Sequence, residues 1–311
     1  MRRLAMPDDA LPGEFWMRRG YQKEDAQFID YELYQLPGVR GVFRGPPIVS
    51  DQYLVCIGAA QTFGRFVQTP YPRLISQILG MDALNLGRGG AGPTFPLSNP
   101  ILLERINRAQ VVIVQVLSGR SQSNSLFRIE NHGMNGVRCT DGSNLSADEF
   151  WTQLLTQDKE AVARTVAETR SNYVVAMTEL LDAIKPPKIL FWFSVRTPEY
   201  TEALELPLHR LWGDFPHLVN LEMVERLRNH CDAYVECISR RGLPQILAAQ
   251  CHVKGAFTVP SPSNPNEPLR IENRYYPSPE MHQDATAVLV PACRQLLSDS
   301  PQYLSFPVPV D

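Results

Sequence analysis

The feature that most constrains this chain is a unit of strand, glycine turn and helix that recurs. Residues 53–57 (Tyr-Leu-Val-Cys-Ile) are a short apolar run with aromatic and β-branched members, followed by small residues bracketed by Gly58 and Gly64. Residues 72–80 then carry Leu74, Ile75, Ile78 and Leu79 at helical spacing, with prolines at the start and Gly80 at the end. The pattern returns at 83–87, followed by the glycine-rich 88–93, and again at 110–117, followed by 118–123. Short apolar runs separated by helical segments are βαβ units of a parallel sheet buried on both faces. In such sheets ligands gather where the strands end, so the loops after the strands are where function is expected.

The remainder extends this frame. Asn99 and Pro100 open a short amphipathic helix over 100–109. The loop 118–144 is rich in Ser, Asn and Gly and contains His132. Ser146 with Glu149 forms a capping box that starts one long helix to Ile184. Residues 188–195 read as a fourth strand, 197–220 as irregular chain with His209, Trp212 and His217, 220–241 as helix and 243–250 as a fifth strand. A polar, proline-rich excursion over 259–279 precedes a closing helix over 283–298. The expected fold is therefore a three-layer, doubly wound α/β domain around a mostly parallel five-stranded sheet, spanning residues 50–298. Residues 1–49 carry too many aromatics for a solvated tail and read as an arm that packs on the domain or on a second chain. Residues 299–311 read as an extended tail. No internal repeat or second domain is visible.

The order of the blocks resembles the SGNH (GDSL-type) hydrolase superfamily. Its members carry Gly-Asp-Ser-x-Thr after strand one, a Gly after strand two, Gly-x-Asn-Asp after strand three and Asp-x-x-His at the last helix. Here Gly58 and Thr62, Gly90, Gly119 and His282 fall on matching positions. The resemblance implies an SGNH-hydrolase-like fold and a cleft for acylated glycans or lipids. Where the sequence departs from those blocks, the usual esterase chemistry reads as lost or replaced. The nucleophilic serine falls on Ala60, the aspartate of the first block on Ala59, the oxyanion asparagine on Arg120 or a neighbour, and the histidine's partner on Pro279. A methyl group cannot attack a carbonyl, and proline cannot orient an imidazole.

What the strand-end loops carry instead is Gln61 and Thr62, Arg88, Arg120, Arg196 and His282. Three arginines, each following a different strand, point to an anion cleft, because a guanidinium forms paired bonds with carboxylate, phosphate or sulfate. Glycine turns at Gly90 and Gly119 can offer N–H groups to the same anion. Each arginine could equally pair with a local acid and turn outward. Two function classes follow. One is a non-catalytic carbohydrate-binding or attachment protein that recognises an acidic bacterial-type polysaccharide, its aromatic arm suited to a homo-oligomer or a larger particle. The other is an SGNH-type esterase, or an acyl or sulfuryl transferase, with a relocated nucleophile at Ser118 or Ser121 and His282 as base.

Composition narrows the field. A net charge of −3 argues against general nucleic-acid binding, which needs a basic face. The six cysteines lack any C-x-x-C spacing, and no cofactor or metal is implied. The basic N-terminus lacks the apolar core of a secretory signal, and no run is long enough to cross a membrane, so cytoplasmic synthesis without membrane insertion is expected.

Overall fold

The computed structural model describes residue 25 and residues 29–39, 41–129, 136–247, 260–261, 264–268 and 272–299. Five parallel strands form the central sheet: β1 (Tyr53–Gly58), β2 (Asp82–Gly87), β3 (Val112–Gln115), β4 (Lys188–Ser194) and β5 (Ala233–Ile238). Their order is β2-β1-β3-β4-β5, all parallel, so the direction of winding reverses between β1 and β3. The expected α/β class and five-stranded sheet are therefore the fold of this chain.

Alternation along each strand divides the core into two layers. Val55, Ile57, Leu84, Leu86, Val112, Val114, Leu190 and Trp192 face α3 (Pro100–Asn107), α5 (Lys159–Ala183) and α6 (Leu221–Arg228). Leu54, Cys56, Ile113, Ile189, Phe191 and Phe193 face α2 (Tyr71–Leu79) and α7 (Pro279–Ser298). A third cluster lies beside the strand ends. There α4 (Ala147–Gln157) and the start of α5 pack with Phe127, Val137, Leu211, Trp212 and Leu218.

Several elements differ from the sequence expectation. The fifth strand is Ala233–Ile238, in register with β4, and not 243–250; α6 ends at Arg228. Residues Ala-Tyr-Val-Glu-Cys-Ile continue the helix's apolar spacing well enough to be absorbed into it, but they match β4 residue for residue. Gln245–Ile246 instead pairs antiparallel with Glu272–Asn273, and 248–250 lie outside the described residues. The single long helix is two, because Asp158 leaves helical geometry and caps α5 through a bond from the Ala161 N–H. The loop of small residues after β1 contains a helical turn, α1 (Ala60–Phe63). The loop 118–144 folds into a small antiparallel sheet of Phe127–Ile129, Gly136–Cys139 and Asn144–Ser146, while His132 lies outside the described residues. The closing helix begins at Pro279, capped by Ser278, so His282 sits in its first turn.

The described part of the N-terminal arm packs across this domain. Leu36, Val39 and Phe43 enter the core, and the buried Arg44 guanidinium donates to the carbonyls of Phe63, Gly64, Val67 and Gln68. The arm thereby holds the loop after β1 from behind.

Candidate functional site

The first block is preserved as architecture. Gly58 ends β1 where a Cβ would collide with Thr62 Oγ1 and Gln115 Oε1, so only glycine fits. Gln115 Oε1 accepts from the Ala59 N–H at 3.0 Å and from the Thr62 hydroxyl at 2.7 Å. Asn85 donates to the Thr62 carbonyl and accepts from the Gly87 N–H. These bonds fix α1 above the sheet, and Ala59 and Ala60 at its start contribute no reactive atom.

His282 is wholly buried. Its Nδ1 accepts from the Tyr71 N–H at 3.1 Å, its ring stacks on Tyr71, and Phe193 meets it edge-on. Its Nε2 has no partner. Burial, and then the Arg44 charge, push the imidazole down to about 3, so it stays neutral. Thr62 is equally buried and also meets the Tyr71 hydroxyl at 2.9 Å. Thr62 and His282 thus form the wall behind the rim and do not reach its surface.

The strand ends themselves gather a different set. Ser118, following β3, has its Oγ 3.1 Å from His217 Nδ1, so His217 and not His282 is the imidazole that serves this serine. Ser121 and Gln122 are buried in the same turn, closed by the Gln122 N–H on the Gly119 carbonyl; the Gly119 N–H bonds the His217 carbonyl at 2.9 Å. The His217 ring stacks on Tyr275 with 6.1 Å between centroids and 12° between planes, and lies 5.5 Å from the Trp212 ring. The Tyr275 hydroxyl is 3.5 Å from His217 Nε2, at the outer limit of hydrogen bonding. Tyr275 is half-exposed as a residue, yet its hydroxyl approaches the buried His217, and burial pushes the phenol up to about 12.

Among the described residues, three buried polar atoms around this cluster have no hydrogen-bond partner: Gln61 Oε1, Gln122 Oε1 and Trp212 Nε1. Natural cores rarely leave such atoms unpaired, since each costs about 1–3 kcal/mol.

The arginines have three distinct fates. Arg196 donates to the carbonyls of Thr197, Asp214, Pro216 and Val219, and burial lowers it to about 10. It binds its own loop, the one that presents Trp212 and His217. Arg88 lies over the Phe95 ring in the turn after β2, which Gly90 closes with φ +74°, and its N–H holds the Gly58 carbonyl. Arg120 lies over the Trp212 ring, 5.1 Å from its centroid, and faces the Asp148 carboxylate at 3.5 Å. Arg120 therefore sits with Ser118, Gly119, Gln61 and His217, whereas the Arg196 guanidinium is turned into the backbone.

His217 is held neutral. Burial comes first, and the charges of Arg120 and Arg196 add to it, so its proton affinity falls well below the usual histidine range. No carboxylate among the described residues bonds it. Sequence reading passed over His217 and Tyr275 because one lies in an irregular loop and the other in a polar excursion. The available signal was position, and for His217 alone, whose segment follows β4. Among the described residues no cluster of His, Cys, Asp or Glu could hold a metal, and no helix is long and apolar enough to cross a membrane.

A family model described as a domain of unknown function, DUF6473, matches residues 19–133 and 148–297. A search of curated proteins found no match. Among solved structures, a family 2 carbohydrate esterase with a carbohydrate-binding domain from Corynascus thermopiles (Myceliophthora fergusii) is 12% identical, covering 83% of this chain and 69% of its own, at a TM-score of 0.39. The acetyl xylan esterase Est2A of the rumen bacterium Butyrivibrio proteoclasticus is 13% identical over 83% and 67%, at 0.40. A lipase from a goat rumen metagenome is 12% identical over 78% and 96%, at 0.37. These superpositions are too loose to carry an activity across.

Proposed function

This chain belongs to the DUF6473 family, and we propose that it is a non-catalytic carbohydrate-binding protein whose strand-end cleft takes a segment of acidic polysaccharide. The observation that carries the reading is the set of unpartnered buried atoms, Gln61 Oε1, Gln122 Oε1 and Trp212 Nε1, around the aromatic faces of His217, Tyr275 and Trp212. Two acceptors and a donor near the exposed Tyr275, backed by the buried His217 and Trp212 rings, suit a ligand with many hydroxyls and an apolar ring face. Arg120, with donors to spare, suits a carboxylate on that ligand.

Loss of acyl chemistry follows from the same residues. Ala60 stands at the nucleophile position of the superfamily that the blocks resemble. His282 is enclosed behind it. A general base must take a proton and hold it, and His217 has two arginine charges nearby and, among the described residues, no carboxylate bonded to it to stabilise an imidazolium.

The 3.1 Å contact between Ser118 and His217 favours a second reading, a relocated nucleophile in an esterase or an acyl or sulfuryl transferase. One experiment divides the two. The protein is assayed for release of acetate from acetylated oligosaccharides and for retention on immobilised polysaccharides. Retention without turnover supports binding. Turnover that disappears in Ser118→Ala would establish the second reading instead.

A further inference from the structure

Of Arg120 and Arg196, Arg120 is the one whose charge is held loosely. Its carbonyl is fixed by the Trp151 indole at 2.7 Å, which ties the turn after β3 to α4. Its guanidinium is different. It rests on the Trp212 face and meets Asp148 at 3.5 Å, longer than a well-formed charged hydrogen bond. The Arg120 side chain is 20% exposed and that of Asp148 is 51% exposed. The contrast with Arg196, whose donors meet four carbonyls, is one of saturation.

Asp148 also has an alternative resting place. It lies in the first turn of α4, where the unpaired N–H groups of the helix favour a negative charge. The capping positions there are taken by Ser146 and Glu149, which bond each other's backbone N–H groups. Asp148 can therefore leave Arg120 for solvent and still sit in a favourable field.

Resting on the binding reading above, we infer that Asp148 is the specificity-determining residue of the cleft, an internal competitor that occupies Arg120 until a ligand anion displaces it. A neutral sugar leaves the pair in place and gains nothing from the guanidinium. An anionic sugar must supply a better-placed carboxylate than Asp148. The competitor thus raises the threshold for stray anions and rewards ligands that bind the aromatic floor at the same time.

The test compares wild type, Asp148→Asn and Asp148→Asn/Arg120→Gln at fixed ionic strength. Calorimetry is run with an oligogalacturonate and with a cello-oligosaccharide, and sulfate binding is followed by tryptophan fluorescence. Thermal unfolding checks that each variant is folded. Asp148→Asn should bind oligogalacturonate and sulfate about ten-fold more tightly, with the neutral sugar unchanged and the gain lost in the double variant. An unchanged sulfate affinity, or a gain that survives without Arg120, overturns the inference even where a glycan binds. A sulfate gain with no oligosaccharide binding by any form upholds the role of Asp148 and sinks the glycan reading alone.

Discussion

Replacing His282 by Asn should remove a large part of the acid sensitivity of this fold. In the native state the imidazole is wholly buried and its titration is pushed down to about 3. In the unfolded chain it titrates near the ordinary histidine value of about 6.5. The folded value is depressed, so the unfolded state binds the extra proton between these limits, and stability falls as the pH drops through that window. Between pH 7 and pH 5 the linkage amounts to about 2 kcal/mol, and over the full window it approaches roughly 4–5 kcal/mol. The Asn side-chain oxygen can still accept from the Tyr71 N–H, as Nδ1 does at 3.1 Å, but it does not titrate. The substitution itself lowers stability at pH 7 through lost packing against Tyr71 and Phe193. The informative quantity is therefore the slope. Urea unfolding at pH 7, 6 and 5 should give a steeper decline for wild type than for His282→Asn, with the difference near 2 kcal/mol at the acid end. His217 is depressed in the same direction and contributes equally to both proteins. Parallel curves would refute the reasoning and show that His282 exchanges protons freely, as a rim residue would.

Other outcomes follow from the same geometry. Gly58→Ala should leave little folded protein in a thermal melt, because the added methyl meets Thr62 and Gln115 at a point fixed by three hydrogen bonds. Arg196→Met should lower unfolding free energy by about 3 kcal/mol, since the two part-buried bonds to Pro216 and Val219 have no substitute; a loss below about 1 kcal/mol would mean that the loop holds itself. Arg120→Ala should weaken an acidic oligosaccharide roughly ten-fold and flatten the salt dependence of its binding, checked by calorimetry at low and high salt.

Most of the fold was legible because β1, β2 and β3 are each followed closely by glycine and β4 carries an unbroken apolar run over Ile189–Phe193. The fifth strand was not, since Ala233–Ile238 has only one buried residue and reads as the continuation of α6. Gln61, Ser118, Gly119 and Arg120 could be found from position alone, as residues following strand ends. Arg196 obeyed the same rule and still faces inward, because three of its four carbonyl partners come from residues 214–219, whose path no local pattern reveals. His217 and Tyr275 approach Ser118 only after long excursions have folded back, and an imidazole in an irregular loop carries no signature of its own.

The most direct test of the account is calorimetric titration of an oligogalacturonate into wild type and Gln61→Met. Methionine keeps the length of the buried side chain but removes the unpartnered acceptor Gln61 Oε1. Binding to wild type that weakens ten-fold or more in Gln61→Met, in a variant with an unchanged melting temperature, is the predicted result. Equal affinity in the two proteins would place the ligand elsewhere and contradict a binding cleft built on the unpartnered atoms and the aromatic rings beside them.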